Sequence, residues 1–374
     1  MSKQLQLLEI ALAANVPALL WGPPGVGKTS NVYQLAERRK AHLEVLIASI
    51  RDPSDFGGLP VKEEVGVVLE PMGWARRVAD ANSKGQEAIV FIDEISTSPP
   101  ANQAALLRVV LDKVVGDLDL VGANSDNVRM VAAANPPDQA AGGWELAPPL
   151  ANRFFHVQWG VPETPDWING YLQGWPEPKL RPLTKNWEEH LGTQKSLTAG
   201  YLSTQPQDLL NMPKEENELG LAWPSPRSWE MMDKLLAVAM GSGLKDVQLD
   251  LINGAIGKGV GKKYFTYLRD LNLPNPEDLL ANPQSLEVME RGDQLFATLT
   301  AVVYAVINGK PDQERYHRGW EVLARAAQIN SIDVAAGSAR RLAEYGFNEG
   351  LNDPEDSIDP FIPMLQDAGI LPTN

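Results

Sequence analysis

The sequence contains no cysteine, which excludes disulfide bonds, thiolate nucleophiles and zinc sites built on thiolates. Histidines are scarce and lie far apart in the chain, so we expect packed or surface histidines rather than metal ligands: His42, His156, His190 and His317. No apolar run approaches the roughly 18 residues that a membrane-spanning helix needs. The first residues also lack the basic start and cleavage site of a secretion signal. We therefore expect a cytoplasmic protein without a membrane span.

Positive charge is scarce as well. The chain has 33 Lys and Arg against 48 Asp and Glu, a formal net charge of −15, which opposes non-specific binding to nucleic acid. With 374 residues, 44% of them hydrophobic and 22% charged, it has the composition of a globular protein of two or three domains.

What the sequence does contain is a glycine-rich loop between a short apolar strand, residues 17–21, and a helix that continues to about residue 39. Such loops bind a phosphate chain through backbone amides, a lysine reaches the outer phosphates, and a hydroxyl ligates Mg²⁺. The order strand, loop, helix makes a chance glycine turn a poor alternative. We expect the following residues to bind the nucleotide: Gly22, Pro23, Pro24, Gly25, Val26, Gly27, Lys28, Thr29 and Ser30.

A second apolar strand, residues 87–92, ends in the acids Asp93 and Glu94. Strands of this kind are typical of the centre of a parallel sheet in which the carboxyl ends of the strands lie next to a bound nucleotide. We expect Asp93 and Thr29 to hold Mg²⁺ and Glu94 to orient the attacking water. The alternative, that the two acids only cap the following helix, is weakened by the phosphate loop about 65 residues earlier.

A third apolar strand, residues 128–134, ends in Asn135, whose amide could contact the γ-phosphate or the water. An Asn-Pro turn without a catalytic role explains Asn135 equally well. Further strands at 43–48 and 154–159 and helices at 4–14, 74–83 and 100–115 predict an α/β fold with a five-stranded parallel sheet. Small β-hairpins are expected at 61–69 and 113–120.

The second half has a different pattern. Residues 161–221, rich in Pro and Trp, are interpreted as an insert or linker between a core at 1–160 and a helical lid domain at 222–330. Helices are expected at 230–240, 246–256, 279–308 and 313–328, and residues 331–374 form a helical and acidic extension whose part 348–359 is interpreted as a loosely held surface segment. Residues 257–263, Gly-Lys-Gly-Val-Gly-Lys-Lys, fail the phosphate-loop template and are interpreted as a flexible basic loop, with a polyanion or partner contact as the alternative.

Taken together, these motifs resemble the AAA+ ATPases, and more narrowly their MoxR-type, dynein-related branch. Residues 51–60 resemble the Asp-Pro-x-Asp-x-x-Gly segment that leads into that branch's inserted hairpin, and residues 93–107 are similar to its Walker B segment. Residues 134–136 are similar to its sensor 1. By the same resemblance, Arg153 matches the arginine finger and Arg227, within Ser-Pro-Arg-Ser, matches the sensor 2 arginine of the lid. An ordinary salt bridge is the alternative for Arg153.

The resemblance implies ATP and Mg²⁺ as cofactors and a homo-oligomeric ring, a hexamer, in which Arg153 completes the site of the next subunit while Arg227 senses the γ-phosphate from the lid. It also implies a chaperone-like remodeller of a protein partner, acting with a separate von Willebrand factor A domain protein. The two hairpins are candidate partner contacts, or else surface loops without a role. A nucleic-acid motor or loader is the alternative function, which the acidic charge disfavours. A monomeric P-loop kinase or GTPase-like switch leaves the late arginines unexplained.

Overall fold

The computed structural model describes residues 2–371 except 65, 124, 137–143, 176, 272, 309, 330 and 331. Its strands are β1 (Ala18–Trp21), β2 (His42–Ile47), β3 (Leu59–Glu63), β4 (Gly66–Glu70), β5 (Ala88–Asp93), β6 (Val114–Val115), β7 (Leu118–Asp119), β8 (Val128–Ala134) and β9 (Phe155–Gln158). Its helices are α1 (Ser2–Ala13), α2 (Lys28–Arg39), α3 (Ser54–Gly57), α4 (Gly73–Ser83), α5 (Pro100–Asp112), α6 (Pro148–Ala151), α7 (Thr164–Gln173), α8 (Leu191–Thr204), α9 (Glu216–Leu219), α10 (Pro226–Gly241), α11 (Gln248–Ile256), α12 (Lys258–Asp270), α13 (Pro276–Ala281), α14 (Gly292–Ile307), α15 (Gln313–Ile329), α16 (Ile332–Glu349) and α17 (Ile362–Asp367). Val65, in the turn of the first predicted hairpin, lies outside the described residues.

The predicted five-stranded parallel sheet is confirmed, with the strand order β2-β5-β8-β1-β9. All strands point the same way, so the residues that follow β1, β5 and β8 meet at one edge, which we call the carboxyl edge. The residues that precede the strands meet at the opposite edge, the amino edge. Because β8 lies between β5 and β1, the three predicted site segments are neighbours at the carboxyl edge.

The central strands are apolar on both faces because helices cover both faces of the sheet. Every residue of β1 is buried, and so is every residue of β5 except Asp93 at its end. On one face, Val90, Ile92 and Met130 share a core cluster with Trp74 of α4 and Leu106 of α5. This core holds the strand ends, and therefore the loops after them, in fixed positions.

Both predicted hairpins are present. β3 pairs with β4 and β6 pairs with β7, each in antiparallel register. The two hairpins are joined, since Leu69 N–H donates to the Asp117 carboxylate at 2.7 Å and Asp117 N–H donates to Leu69 O at 3.0 Å. A Cβ at Gly116, which has a φ of 59°, would lie 2.3 Å from Leu69 O, so only glycine permits this contact.

The chain divides into two compact units: residues 1–185 with 209–262, and residues 186–208 with 263–374. These units differ from the predicted segments. The first contains α10 and α11, which the sequence interpretation placed in a lid, and the second contains α8, which it placed in a linker. Within the second unit, α8 approaches α14 closely, because a Cβ at Gly192 would overlap the ring of Tyr304. No helix within the described ranges is both long and apolar enough to cross a membrane.

The prediction of a flexible basic loop at 257–263 was wrong, because α12 begins at Lys258. Gly257, with a φ of 78°, ends α11, and the chain turns directly into the next helix. The apolar residues Val260, Tyr264 and Tyr267 of α12 are buried at helical spacing, whereas its lysines point outward. The repeated Gly-Lys pattern concealed this spacing.

Three helix or tail boundaries also differ from prediction. The helix expected at 100–115 ends at Asp112, because Lys113 takes a left-handed conformation (φ 55°) and its ammonium binds the Asp126 carboxylate. The helix expected at 279–308 is two helices, α13 and α14. The segment 348–359 is not loosely held, since Asp353 accepts a hydrogen bond from Tyr316 Oη at 2.6 Å and Ile358 is buried in the core of the second unit.

Candidate functional site at the carboxyl edge

The phosphate loop lies between the end of β1 and the start of α2. Gly25 and Gly27 have φ values of 80° and 88°, which point successive amides into the loop. Gly27 precedes α2 without a side-chain cap, and the first helical bond beyond it is from Asn31 N–H to Gly27 O. The amides of the first turn, residues 28–30, are therefore available to an anion. Gly22 is needed for a different reason, because a Cβ there would lie 2.4 Å from Trp159 O.

Lys28 is 8% exposed and lies across its own loop. Its ammonium donates to Gly22 O at 2.6 Å, to Pro23 O at 3.0 Å and to Asn135 Oδ1 at 3.1 Å. Burial lowers the pKa of Lys28, and the nearby charge of Asp93 partly offsets that effect. The lysine is thus held as a donor at the point where the outer phosphates of a bound nucleotide would lie.

The two predicted metal ligands are brought together. Thr29 Oγ1 donates to Asp93 Oδ2 at 2.9 Å. Mg²⁺ binds oxygens at about 2.0–2.1 Å in an octahedron, where adjacent ligands are about 2.9 Å apart. Mg²⁺ usually takes only one or two protein oxygens, with water and phosphates as the rest. Thr29 and Asp93 therefore fit such an ion, and the described residues contain no cluster of three His, Asp or Glu that would hold a metal without a nucleotide.

Glu94 is exposed beside the loop and has a left-handed backbone, with a φ of 57°. Such a conformation is uncommon for a residue other than glycine and is found at functional sites. The Ser49 hydroxyl donates a hydrogen bond to the Glu94 carboxylate. Ser49 lies in the turn after β2, and the sequence interpretation missed it, because 45 residues separate it from Glu94. The available signal was a polar residue two positions after β2, the strand next to β5.

Asn135 directly follows β8 at the carboxyl edge, and its Oδ1 accepts a hydrogen bond from the Lys28 ammonium. Gly22 N–H donates to Ala134 O at 3.1 Å, which attaches the phosphate loop to the end of β8. The structure thus brings four predicted parts of the site together at the carboxyl edge: the phosphate loop, Asp93, Glu94 and Asn135.

Arg153 lies elsewhere, at the amino edge. It precedes β9, and Phe155 of β9 pairs with Ala18 at the beginning of β1, whereas the phosphate loop follows the end of β1. At about 3.3 Å per residue, Arg153 is on the order of 20 Å from Gly22 along the strand direction. An extended arginine side chain covers less than half of that distance. Arg153 therefore cannot reach the phosphate loop of its own chain.

Arg227 lies near enough to Arg153 for its charge to act on that guanidinium group. Ser225, the N-cap of α10, donates from its hydroxyl to Asn152 Oδ1 at 2.6 Å, and Asn152 Nδ2 donates to Trp223 O at 3.1 Å. These buried hydrogen bonds hold the start of α10 against the residue before Arg153. The sequence interpretation put Arg227 on a lid, from which it senses the γ-phosphate. In the structure, Arg227 belongs to the first compact unit, near the amino edge.

The two guanidinium groups repel each other. Burial lowers the pKa of Arg153, the charge of Arg227 lowers it further, and Asp112 acts in the opposite direction. Arg153 donates to Pro149 O at 2.6 Å, while its buried Nε has no hydrogen-bond partner among the described residues. Within the same residues no carboxylate forms an ion pair with either arginine. An ordinary salt bridge, the alternative for Arg153, is thus not found in the described part of the chain.

A phosphate-binding loop at the end of β1, with an acid-tipped strand two positions away in the sheet, defines a P-loop nucleotide-binding domain. Residues 18–158 match the family model of the ATPase family associated with various cellular activities (AAA). This segment, which contains the whole sheet, is thus an AAA domain, and the match supports ATPase activity in general. The predicted fold class, an AAA+ core followed by a helical region, is confirmed.

Two further similarities are weaker. The chain is 29% identical over 109 residues to the replication-associated recombination protein A of Coxiella burnetii (strain RSA 493 / Nine Mile phase I). That match covers 29% of this chain and only 20% of the relative. A solved structure from Cytophaga hutchinsonii ATCC 33406, provisionally assigned as an ATPase, is 18% identical with a TM-score of 0.46, over 72% of this chain and 88% of the other. At these levels neither similarity identifies a substrate or a partner.

Proposed function

We propose that this chain is a ring-forming ATPase of the MoxR type that hydrolyses ATP with Mg²⁺ and uses the energy to remodel or activate a protein partner. The observation that carries the proposal is the separation of two half-sites. The carboxyl edge has the phosphate loop, the metal ligands and Glu94, whereas the cations that would neutralise the transition state are at the amino edge. A second copy, placed head to tail, supplies the missing half, and repeating that contact closes a ring.

Each residue at the carboxyl edge then has a role in phosphoryl transfer. Lys28 and the backbone amides of residues 25–30 would bind the β- and γ-phosphates. Thr29 and Asp93 would hold a Mg²⁺ ion, which would neutralise charge on the phosphates. Glu94 orients and polarises the attacking water, with its carboxylate positioned by Ser49. Asn135 holds the lysine and reaches the γ-phosphate side of the site.

At the amino edge, Arg153 and Arg227 act together. The Asn152–Ser225 hydrogen bond joins the two backbone segments that carry these arginines. In the proposed ring, both guanidinium groups act on the same neighbouring nucleotide. Two cations close to one phosphate stabilise the charge that develops in the transition state. The mutual repulsion that they suffer in the isolated chain is relieved when the anion lies between them.

The joined hairpins support the MoxR branch and a protein partner. The β3–β4 hairpin occurs where the sequence resemblance expected an inserted hairpin, and it exposes Leu59 (49%), Val61 (37%) and Val67 (67%). Exposed apolar residues on a fixed hairpin suit contact with another protein. The von Willebrand factor A domain protein that such ATPases commonly use would be a separate chain.

Mixing inactive subunits tests the shared site. Arg153→Ala should bind ATP as the unchanged chain does but lose most turnover, and Lys28→Ala should lose binding. A mixture of the two contains some subunit interfaces with an intact phosphate loop from one subunit and an intact Arg153 from the other. We therefore expect part of the ATPase activity to return. If no mixing ratio restores turnover although both variants assemble, the shared site is refuted.

A nucleic-acid motor or loader is the second candidate, favoured by the name of the Coxiella burnetii relative. The net charge of −15 opposes it. Stimulation of the ATPase by DNA or RNA at moderate salt would support this candidate. Stimulation by a co-purified protein, without an effect of nucleic acid, would support the remodelling function.

A further inference from the structure

Asn102 is a polar residue of α5 that is almost completely buried, with 1% of its surface exposed. Its Nδ2 group donates to two backbone carbonyl oxygens of another segment, Ala48 O at 3.0 Å and Arg51 O at 2.8 Å. These two residues lie on either side of Ser49 and its neighbour Ile50. One side-chain amide thus joins α5 to both ends of residues 48–51, which we call the Ser49 turn.

The two carbonyl groups fix the orientation of the Asn102 amide. If the amide were reversed, Oδ1 would lie against two carbonyl oxygens, and three acceptors would repel one another. In the observed orientation Nδ2 has two acceptors for its two N–H groups, whereas the buried Oδ1 has no hydrogen-bond partner among the described residues. An unpaired buried acceptor destabilises a fold, so its presence calls for an explanation other than packing.

The Ser49 turn has little packing of its own. β2 ends at Ile47, which pairs with Asp93 of β5, and the chain then leaves the sheet. Of residues 48–50, only Ala48 is buried, and Ile50 is 77% exposed. No side chain caps this short 3₁₀ turn. We therefore expect the two hydrogen bonds from Asn102 to contribute much of what holds the turn in place.

The Glu94 side chain depends on this turn. The Glu94 backbone is held within its own connection, since its N–H donates to Asp93 Oδ1 at 2.9 Å and Thr97 Oγ1 donates to Glu94 O at 3.0 Å. The Glu94 carboxylate, however, accepts a hydrogen bond from Ser49. The position of the carboxylate is therefore linked to the segment that Asn102 holds.

These contacts form a closed path. The chain continues from Glu94 through residues 95–99 into α5, which carries Asn102. Asn102 binds the Ser49 turn, and Ser49 binds Glu94. Groups that act on a reacting atom need such support from a surrounding shell, because small displacements of the side chain reduce the rate.

We propose that Asn102 is a positioning residue for ATP hydrolysis. Through the Ser49 turn, it keeps the Glu94 carboxylate in the position from which it orients the attacking water. This inference rests on the proposed function, because it assumes that Glu94 acts on that water. Asn102 acts through Ser49 rather than on the nucleotide, so its loss should slow the chemical step without weakening ATP binding.

Replacing the amide by a side chain of similar size tests this role. Asn102→Leu removes both donors, and Asn102→Ala removes them without added bulk if leucine prevents folding. The matched control is Asn82→Leu on α4, because Asn82 is also a buried amide (2% exposed) whose Nδ2 donates to a backbone carbonyl, Val121 O, at 3.0 Å. We expect Asn102→Leu to lower kcat roughly 10-fold with KM unchanged, whereas the control keeps its kcat.

Two further measurements separate positioning from a general loss of stability. If Asn102 acts through Ser49, Asn102→Leu should cost no more than about 2-fold in kcat in a Ser49→Ala background. Hydrogen exchange reports on the turn independently of activity. The amides of residues 48–51 should exchange faster in Asn102→Leu than in the unchanged chain, and the control should show no such change.

The outcomes distinguish this inference from the proposed function. If the unchanged chain is active and Asn102→Leu keeps its kcat, or loses the same factor with and without the Ser49 hydroxyl, the positioning role is overturned and the proposed function stands. Unchanged exchange at residues 48–51 would also overturn the positioning role. An unchanged chain without ATPase activity would overturn the proposed function, and the role of Asn102 with it.

Discussion

The two edges of the sheet differ in how complete they are. At the carboxyl edge, Lys28, Thr29, Glu94 and Asn135 all have hydrogen-bond partners within the same edge. At the amino edge, the charges of two guanidinium groups act on each other, and no carboxylate of the described chain forms an ion pair with them. The candidate nucleotide site at the carboxyl edge is thus assembled before any ligand binds, whereas the amino edge is a concentration of positive charge.

Under the proposed function, this difference has a reason: the arginine pair destabilises its own chain and stabilises the transition state at the site of the next subunit. Repulsion and burial destabilise the charged Arg153 in the isolated chain. Sites that stabilise a transition state commonly hold such preorganised charge, because no reorganisation is then needed during the reaction. Substitutions at each edge should therefore fail in different ways.

The largest effect is expected for the arginine pair. Arg153→Ala and Arg227→Ala should each lower turnover roughly 1,000-fold while ATP binding is unchanged, because the cations act only on the transition state. The double variant should be little worse than either single one, since both groups serve one phosphate. Arg269→Ala, at a 70% exposed side chain of the second unit, is the control. If dissociated Arg227→Ala subunits bind ATP more weakly than dissociated unchanged subunits, then Arg227 acts on the nucleotide of its own subunit. The two edges would then not have separate roles.

Glu94→Gln should lower turnover by about 100-fold or more, because the amide cannot polarise the water, while ATP still binds. Assembly should be unaffected or strengthened by the trapped ATP. The matched control is Glu70→Gln, on the β3–β4 hairpin. A Glu94→Gln variant with ordinary kcat would remove this residue from the chemistry.

Ser49→Ala should have a smaller effect, roughly a 10-fold fall in kcat with KM unchanged, because the Glu94 carboxylate loses the hydroxyl that positions it. Ser49→Thr, which keeps the hydroxyl, should restore much of the rate. In a Glu94→Gln background the same Ser49→Ala change should cost almost nothing. An equal loss in both backgrounds would mean that Ser49 acts on something other than Glu94.

The smallest effect concerns stability and involves β9, the strand that connects the two edges. His156 is buried, accepts a hydrogen bond from Trp21 Nε1 at 2.9 Å and donates one to Ala151 O at 3.0 Å. Burial lowers its pKa to about 4. The unfolded chain therefore binds the proton more readily between pH 6.5 and 4. Neutral His156 therefore makes its full contribution to the free energy of unfolding above pH 6.5. That contribution, roughly 3 kcal/mol, is lost as the pH falls towards 4.

The variant His156→Gln should remove that part of the pH dependence, since glutamine can accept and donate without titrating. Chemical denaturation of both proteins at several pH values between 7.5 and 4 would measure the difference between their slopes. Parallel slopes would show that protonation of His156 does not limit stability in acid.

The positions of the candidate residues at the carboxyl edge could be predicted because the signals are local. Each of β1, β5 and β8 is a short apolar run followed directly by candidate site residues, and a parallel sheet brings such ends together. The amino edge was harder to predict. The placement of Arg227 depends on a hydrogen bond between Asn152 and Ser225, 73 residues apart, and no local pattern encodes it.

The same distinction explains the errors in the second half of the chain. Gly257 to Lys263 carry a loop-like composition, yet burial of Val260 and Tyr264 makes the segment helical. Acidic residues near 353 suggested a loose tail, but the Tyr316 hydroxyl and the buried Ile358 hold it. In both cases distant packing partners outweighed local propensity.

The contact between Gly22 and Trp159 gives β9 a mechanical meaning. One end of this four-residue strand touches the glycine that opens the phosphate loop, and the other end follows Arg153. A displacement of the phosphate loop on nucleotide binding would therefore move β9 and, with it, Arg153 at the other end of the strand. In the proposed ring, β9 of each subunit would connect its own nucleotide to that of the neighbouring subunit, which would couple the hydrolysis steps in sequence.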